Sequence, residues 1–187
     1  MRQVAVVGLA PSTHDQAPFD DPVWETGGLA QDNEGYPYLD RAFEIHPLDF
    51  IREIRRPSFE DRLKEFDVPL YMQEAYPEIP NAVRYPLEEV SSVVGDYFNS
   101  SISYMLGLAI VEKVDRIGIW GVDMDGEDEF AYQRPNAEYM IGFARGVGIS
   151  IYTPEESALL TYGVKGGGIH TVNWKGRYGY FGEENGK

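Results

Sequence analysis

Apolar positions along the chain fall alternately into helical and strand-like spacing, and the clearest switch from one to the other lies between residues 99 and 125. Ile102, Met105, Leu106, Ala109 and Ile110 recur at helical intervals, and Tyr104, Leu108 and Val111 make a second face apolar, which predicts a central, buried helix capped near Asn99. A few residues on, Ile117, Ile119, Trp120 and Val122 form the apolar β-rich run of a strand buried on both faces. The same alternation extends in both directions. Val4 to Val7 predict a first strand, 14–40 a loop with one short helix, and Ala42 to Ile45 a second strand. Leu48, Phe50, Ile51 and Ile54 predict a helix broken at Pro57, after which Phe59, Leu63 and Phe66 continue the pattern toward a strand at Val68 to Met72. Ala82 to Tyr85 suit an edge strand, and Leu87, Val90, Val93, Val94 and Tyr97 a helix opened by Pro86. Pro135 opens a helix whose Met140, Phe143, Ala144 and Val147 share a face until Gly148, and Ile149 to Tyr152 predict a last strand, followed by a helix start at 154–157 with Ala158 to Leu160 on its apolar side. Strands alternating with helices in this way predict an α/β domain over 1–162 with a mostly parallel sheet between two helical layers. From Gly163 on, glycines surround Val172, Trp174, Tyr178, Tyr180 and Phe181, so 163–187 is expected to be a C-terminal extension with an aromatic β-hairpin that packs on another subunit or over the site, in a homo-oligomer.

Composition narrows the partners. Thirty-one acidic against 16 basic residues give a net charge of −15, which repels nucleic acid phosphates. Arg52, Arg55 and Arg56 cluster, but Glu53, Glu60 and Asp61 surround them as on a solvated, mixed-charge helix. With no cysteine there is neither a disulfide framework nor a thiolate metal site. No apolar run reaches the roughly 20 residues of a membrane span and no signal-peptide pattern is present, so the expected setting is cytoplasmic and soluble, without membrane partners.

Ligands of open parallel sheets sit at strand carboxyl ends and helix amino ends. Here those places hold the loop Gly8-Leu9-Ala10-Pro11-Ser12-Thr13, the helix start Asn99-Ser100-Ser101, and Asp123 and Asp125 after the central strand. A Gly-containing loop after a first strand offers backbone N–H groups and the hydroxyls of Ser12 and Thr13 to a phosphate, although any strand needs a turn there. Asp123-Met124-Asp125 also matches the D-x-D pattern that holds a divalent ion on a nucleotide diphosphate, a short match in so acidic a chain; no obligatory metal is expected and no cofactor is named. Gly126 and Arg134 fall at the wrong places for an EF-hand. Arg134 is the candidate for an anionic ligand, with neutralisation of Glu129 or Glu138 as its alternative. His14 after the first loop and His46 at a strand end are candidate acids or bases, and His170 has no metal spacing to either. G-x-S-x-G, Walker A and G-x-G-x-x-G patterns are missing from the sequence.

The strand ending in G-L-A-P-S-T, with F-N-S-S-I-S-Y-M-L-G-L-A-I and I-G-I-W-G-V-D-M, resembles the Rossmann-like group of single-domain bacterial sialyltransferases and 6-hydroxymethylpterin diphosphokinase-like proteins, and bacteriophage proteins on the same scaffold. The resemblance covers residues 1–160 in outline and implies a three-layer Rossmann-like sandwich. It implies that Gly8, Pro11, Ser12, Ser100 and Ser101 contact a donor nucleotide, and that Gly121 and Asp123 meet its ribose. The family's tyrosine two residues past that aspartate is Asp125 here, and near the place of its histidine base stands Pro154-Glu155-Glu156-Ser157. The reading is therefore a nucleotide- or nucleotide-sugar-binding protein, as a glycosyl- or nucleotidyl-group transferase acting on a small molecule with Asp125 and His14 as candidate catalytic groups. Its alternatives are a non-catalytic bacteriophage protein that sequesters a nucleotide-derived signal, and a structural or assembly protein.

Overall fold

A computed structural model describes residues 1–30, 36–55, 57–126 and 130–160, with the backbone alone at Pro57. The expected extension at 163–187, His170 and Glu129 lie outside the described residues.

The described chain is a three-layer Rossmann-like α/β sandwich. Its seven strands are β1 (Gln3–Val7), β2 (Trp24–Leu29), β3 (Arg41–Phe43), β4 (Leu70–Met72), β5 (Ala82–Arg84), β6 (Arg116–Trp120) and β7 (Ser150–Tyr152). They form one sheet in the order β5-β4-β3-β2-β1-β6-β7, and every adjacent pair is parallel. Strand order therefore runs outward from β1 in one direction through β5 and reverses at β6. Register places Trp120, Val7, Gly28, Ala42 and Leu70 in one row across the sheet, so the residues that follow emerge together at its carboxyl edge.

Alternation along each strand divides the core. Val4 and Val6 of β1, Ile117 and Ile119 of β6 and Phe43 of β3 face α3 (Leu87–Val94), α4 (Ser101–Val111) and α5 (Phe130–Gly146) in the larger cluster. Ala42, Leu70 and Met72 face the opposite side, where Ile51 of α1 (Leu48–Ile54) and Phe59 and Leu63 of α2 (Pro57–Glu65) cover them. Beneath β1 and β6, among the described residues, the short 3-10 helix His14–Gln16 expected within 14–40 and its flanks stand in place of an α-helix: Ala5, Val7 and Trp120 pack with Ala17, Phe19, Trp24 and Tyr36. Trp120 meets Trp24 edge to face at 5.2 Å and Tyr152 at 5.3 Å, and Arg116 lies over the rings of Trp24 and Tyr152. Trp24 is thus occupied in packing. As expected of a helix apolar on two faces, α4 buries all but Ser101, Tyr104 and Val111.

Five local expectations are corrected. The segment read as loop contains β2, whose W-E-T-G-G-L lacks the apolar alternation of a strand; its two ladders to β1 and β3 override that local pattern. The α4 cap is Ser100 rather than Asn99, its side chain accepting from the Ser103 N–H. Pro135 sits inside α5 rather than at its start, in the exposed first turns, where its missing N–H leaves only a solvent-side carbonyl without a helical donor. After β7, residues 154–160 form turns in place of a helix, and Val147 is exposed rather than on the core face of α5.

Candidate functional site

Strand order reverses between β1 and β6, and the carboxyl ends of the strands at such a reversal are where open α/β sheets bind ligands. Gly8 and Gly121, the residues just past those ends, lie backbone against backbone. Gly8 donates its N–H to Trp120 O at 2.8 Å, and Ala10 donates to Gly121 O at 2.8 Å. A Cβ on either glycine would collide with the carbonyl oxygen of the other, and Gly121 has a φ of +62°, so only glycine fits this pair. Thr13, fully buried, accepts the Gly121 N–H on its Oγ1 at 2.8 Å. The N–H groups of Gly8, Ala10 and Gly121 are therefore used within the protein, and the hydroxyl of Ser12 is the group that stands out: its Oγ is shielded and has no hydrogen-bond partner among the described residues. Pro11 is exposed beside it. His14 is 8% exposed, and its Nδ1–H donates to Gly8 O at 2.8 Å, a carbonyl being able only to accept. Its ring packs on Tyr36 at 5.3 Å and Phe19 at 5.6 Å, so in this structure the imidazole braces the loop from inside. Burial pushes the Tyr36 phenol up to about 12, and that phenol donates to Val7 O while accepting the Leu29 N–H.

Helix α4 runs back antiparallel to β6, so its amino end lies at the same edge. Ser100, buried, accepts the Ser103 N–H at 3.3 Å and donates to Ser103 Oγ at 2.7 Å, and Ser103 in turn donates to Asn136 Oδ1. Asn136, wholly buried on α5, also accepts the Asn99 N–H at 3.0 Å and donates to Tyr97 O. The Ser100 hydroxyl is thus committed to the cap, while Ser101 is half-buried at the first helical position.

Asp123 and Asp125 are both half-buried, and between them Met124 takes a φ of +50° with its side chain in the core. Asp123 Oδ1 accepts the Ala158 N–H at 2.9 Å. The carbonyl of that same Ala158 accepts Arg134 Nη2 at 3.0 Å, and Arg134 Nε donates to Glu138 at 2.8 Å, so the guanidinium makes the pairing with Glu138 that the sequence offered as an alternative. Ser157 Oγ donates to Val122 O at 3.0 Å, closing the turn after β7 onto the segment after β6. The fold thus joins Gly8, Thr13 and Gly121 directly, Asp123 and Arg134 through Ala158, and the α4 start to α5 through Asn136.

Sequence reasoning passed over Asn136 and Tyr36, and offered to a phosphate the Thr13 hydroxyl that here meets the Gly121 N–H. A polar residue within the apolar face of α5, between Pro135 and Ala137, was the available signal for Asn136; the contacts of Tyr36 and the Thr13–Gly121 bond join residues distant along the chain and gave none. An open cleft of about 810 Å³ lies at the opposite edge, among the strand starts Gln3, Trp24 and Glu25. Its Glu25 is paired with Arg2 and Arg41, and its Asp40 with Thr26 and Tyr38, so those acidic groups serve the fold.

No family model matches the chain, and no curated protein matches it in sequence. Solved structures do. The sialyltransferase CstII from Campylobacter jejuni in complex with the substrate analogue CMP-3FNeuAc is 14% identical with a TM-score of 0.56, over 82% of this chain and 80% of that one. CST-II in complex with a trisaccharide acceptor and CMP is 13% identical with a TM-score of 0.53, over 81% and 80%. The apo form of an alpha-2,3-sialyltransferase from Campylobacter jejuni is 14% identical with a TM-score of 0.50, over 82% and 75%. At these identities the likeness is one of fold.

Proposed function

We propose that the carboxyl edge between β1 and β6 binds a nucleotide or nucleotide-sugar, and that the protein is a glycosyltransferase-like enzyme acting on a small molecule. The observation that carries this reading is the shielded hydroxyl of Ser12, which has no hydrogen-bond partner among the described residues and belongs to the loop that the glycine-only contact of Gly8 with Gly121 holds at the switch point. The scaffold is that of solved proteins whose bound molecules are CMP and a CMP-sugar analogue, which supports the same ligand class here. In this reading Ser12 and Ser101 donate to phosphate at the amino end of α4, where the helix dipole favours negative charge. Asp123, its Oδ1 held by Ala158, accepts hydroxyl donors of the ribose. Arg134 adds positive charge one residue away from that carboxylate, through Ala158.

A second reading, a non-catalytic protein that sequesters a nucleotide-derived signal, is favoured by one observation: Asp125 stands where the sialyltransferase-like pattern has a tyrosine.

Calorimetric titration with CMP, beside UMP, GMP and AMP, tests the binding common to both. Asp123→Asn keeps an oxygen for the Ala158 N–H and removes the charge, so the variant should remain folded and bind at least about tenfold more weakly. Unchanged affinity in a folded Asp123→Asn protein would remove Asp123 from the site. Affinity should also survive EDTA; loss of binding in EDTA that manganese restores would instead assign Asp123 and Asp125 to a divalent ion.

A further inference from the structure

The carboxyl edge carries a second built arrangement, two strands from Gly8. Beyond β3 the chain continues Glu44-Ile45-His46, at the same edge as Gly8 and Asp123. Glu44 is 4% exposed, and its Oε1 lies 2.5 Å from His46 Nδ1 and accepts the His46 backbone N–H at 3.1 Å. The imidazole is stacked on Phe50 of α1, ring centres 5.5 Å apart and planes 23° from parallel, and its side chain is 45% exposed. With a carboxylate as acceptor, Nδ1 carries the proton and the basic lone pair of the ring is on Nε2. A buried carboxylate thus fixes tautomer and rotation, and an aromatic ring fixes the plane, of a histidine that reaches solvent at the ligand edge.

Support of the fold is a weaker explanation for this pair. Glu44 shares the strand face of Ala42, which packs among apolar side chains, and an apolar residue there would need no charged partner. At about 4.8 Å between neighbouring strands, β3 lies roughly 10 Å from β1 and 14 Å from β6, within reach of a sugar extending along the edge from a nucleotide held at the switch point.

We propose that His46, oriented by Glu44, is the general base of glycosyl transfer from a nucleotide-sugar; this rests on the binding reading given above. The acceptor is a hydroxyl, of a sugar or of water. Its proton passes to Nε2 as its oxygen bonds to the anomeric carbon, and the bond from that carbon to the phosphate oxygen breaks with its electron pair leaving on the nucleotide. Glu44 holds the Nδ1–H throughout and stabilises the imidazolium, a positioning role.

The test uses the full chain with CMP-N-acetylneuraminic acid and UDP-sugars as probes, following nucleotide release with water and with lactose as acceptors, beside calorimetric CMP binding. His46→Asn keeps a donor toward Glu44 and lacks Nε2. It should lower kcat by about a hundredfold or more with KM and CMP affinity within about twofold. His46→Ala should lose kcat similarly and regain part of it in added imidazole, which a residue that only packs would not do; should that variant fail to fold, His46→Asn carries the comparison. Glu44→Gln should lower kcat by about tenfold. Turnover unchanged in His46→Asn overturns the proposal and leaves the binding reading intact. Binding of CMP with no turnover of any probe by the wild type overturns it in favour of the sequestering reading. Neither binding nor turnover overturns both.

Discussion

Gly121 meets two constraints at once, a left-handed φ and a carbonyl where a Cβ would be. Gly121→Ala is accordingly expected to cost about 2 kcal/mol or more, read as a lower urea midpoint, because the clash is with backbone that cannot rotate away. Tyr36 offers a test of a different kind. Its phenol, pushed up to about 12 by burial, keeps its proton in the folded chain between pH 10 and 12 while the unfolded chain, titrating near 10, releases it. The unfolded state then binds fewer protons, so stability falls as pH rises through that window, by up to about 1.4 kcal/mol per pH unit from this residue. Tyr36→Phe should flatten the slope of urea midpoints between pH 10 and 12, leaving the shares of Tyr85 and Tyr104, whose phenols burial also raises, and of Tyr38, raised by its hydrogen bond to Asp40. At this scale the sequence exposed groups whose meaning is local: Gly8 after a strand, Asp123 after another, hydroxyls at a helix start. It was silent on Thr13 reaching Gly121 and on Glu44 holding a ring, since the first joins residues 108 positions apart and the second depends on which face of the chain is buried.

Helices α4 and α5 are locked at their amino ends by one amide. Asn136→Ala would leave the buried Ser103 hydroxyl without its acceptor and the Asn99 N–H and Tyr97 carbonyl, in part-buried bonds, short of partners, and about 2–4 kcal/mol of stability should be lost. Ser100→Ala removes the cap and one bond to Ser103 Oγ while leaving Asn136 and its own three partners in place, and should cost about 1 kcal/mol. The contrast checks that the network, rather than the cap alone, holds the α4 start at the carboxyl edge of the sheet. Elements with their own periodicity were legible: α4, β6 and the pair α1 and α2 broken at Pro57. β2 was not, and its glycines explain why. A Cβ on Gly27 would only touch Phe43, Arg41 and Met105, whereas Gly28 has Leu39 and Tyr36 where a side chain would stand, so on that face neighbours fill the room a strand residue would normally take. Such a strand has no apolar pattern of its own to read.

Across the whole molecule the two edges of the sheet differ in chemistry. The amino edge carries a closed ionic network in which Arg41, 4% exposed, meets both oxygens of Glu112 at 3.0 Å. Its Nη2 also touches Glu25 at 2.6 Å without the alignment of a hydrogen bond, and Arg2 joins the same two glutamates. The carboxyl edge instead gathers Ser12, Asp123 and the Glu44–His46 pair. That division follows from an all-parallel sheet, whose strand starts and strand ends are segregated, and the alternation of strands and helices in the sequence was sufficient to foresee it. The position of β1 at the switch also orders events during synthesis. Its partner β2 begins at Trp24, but the strand for its other side begins only at Arg116, so a nascent chain displays the apolar edge Val4 to Val7 unpaired until most of the domain has left the ribosome. The proposed ligand site, framed by the same two strands, is then the last part of the sheet's centre to exist, and a product truncated before residue 116 would lack both a protected edge and that frame.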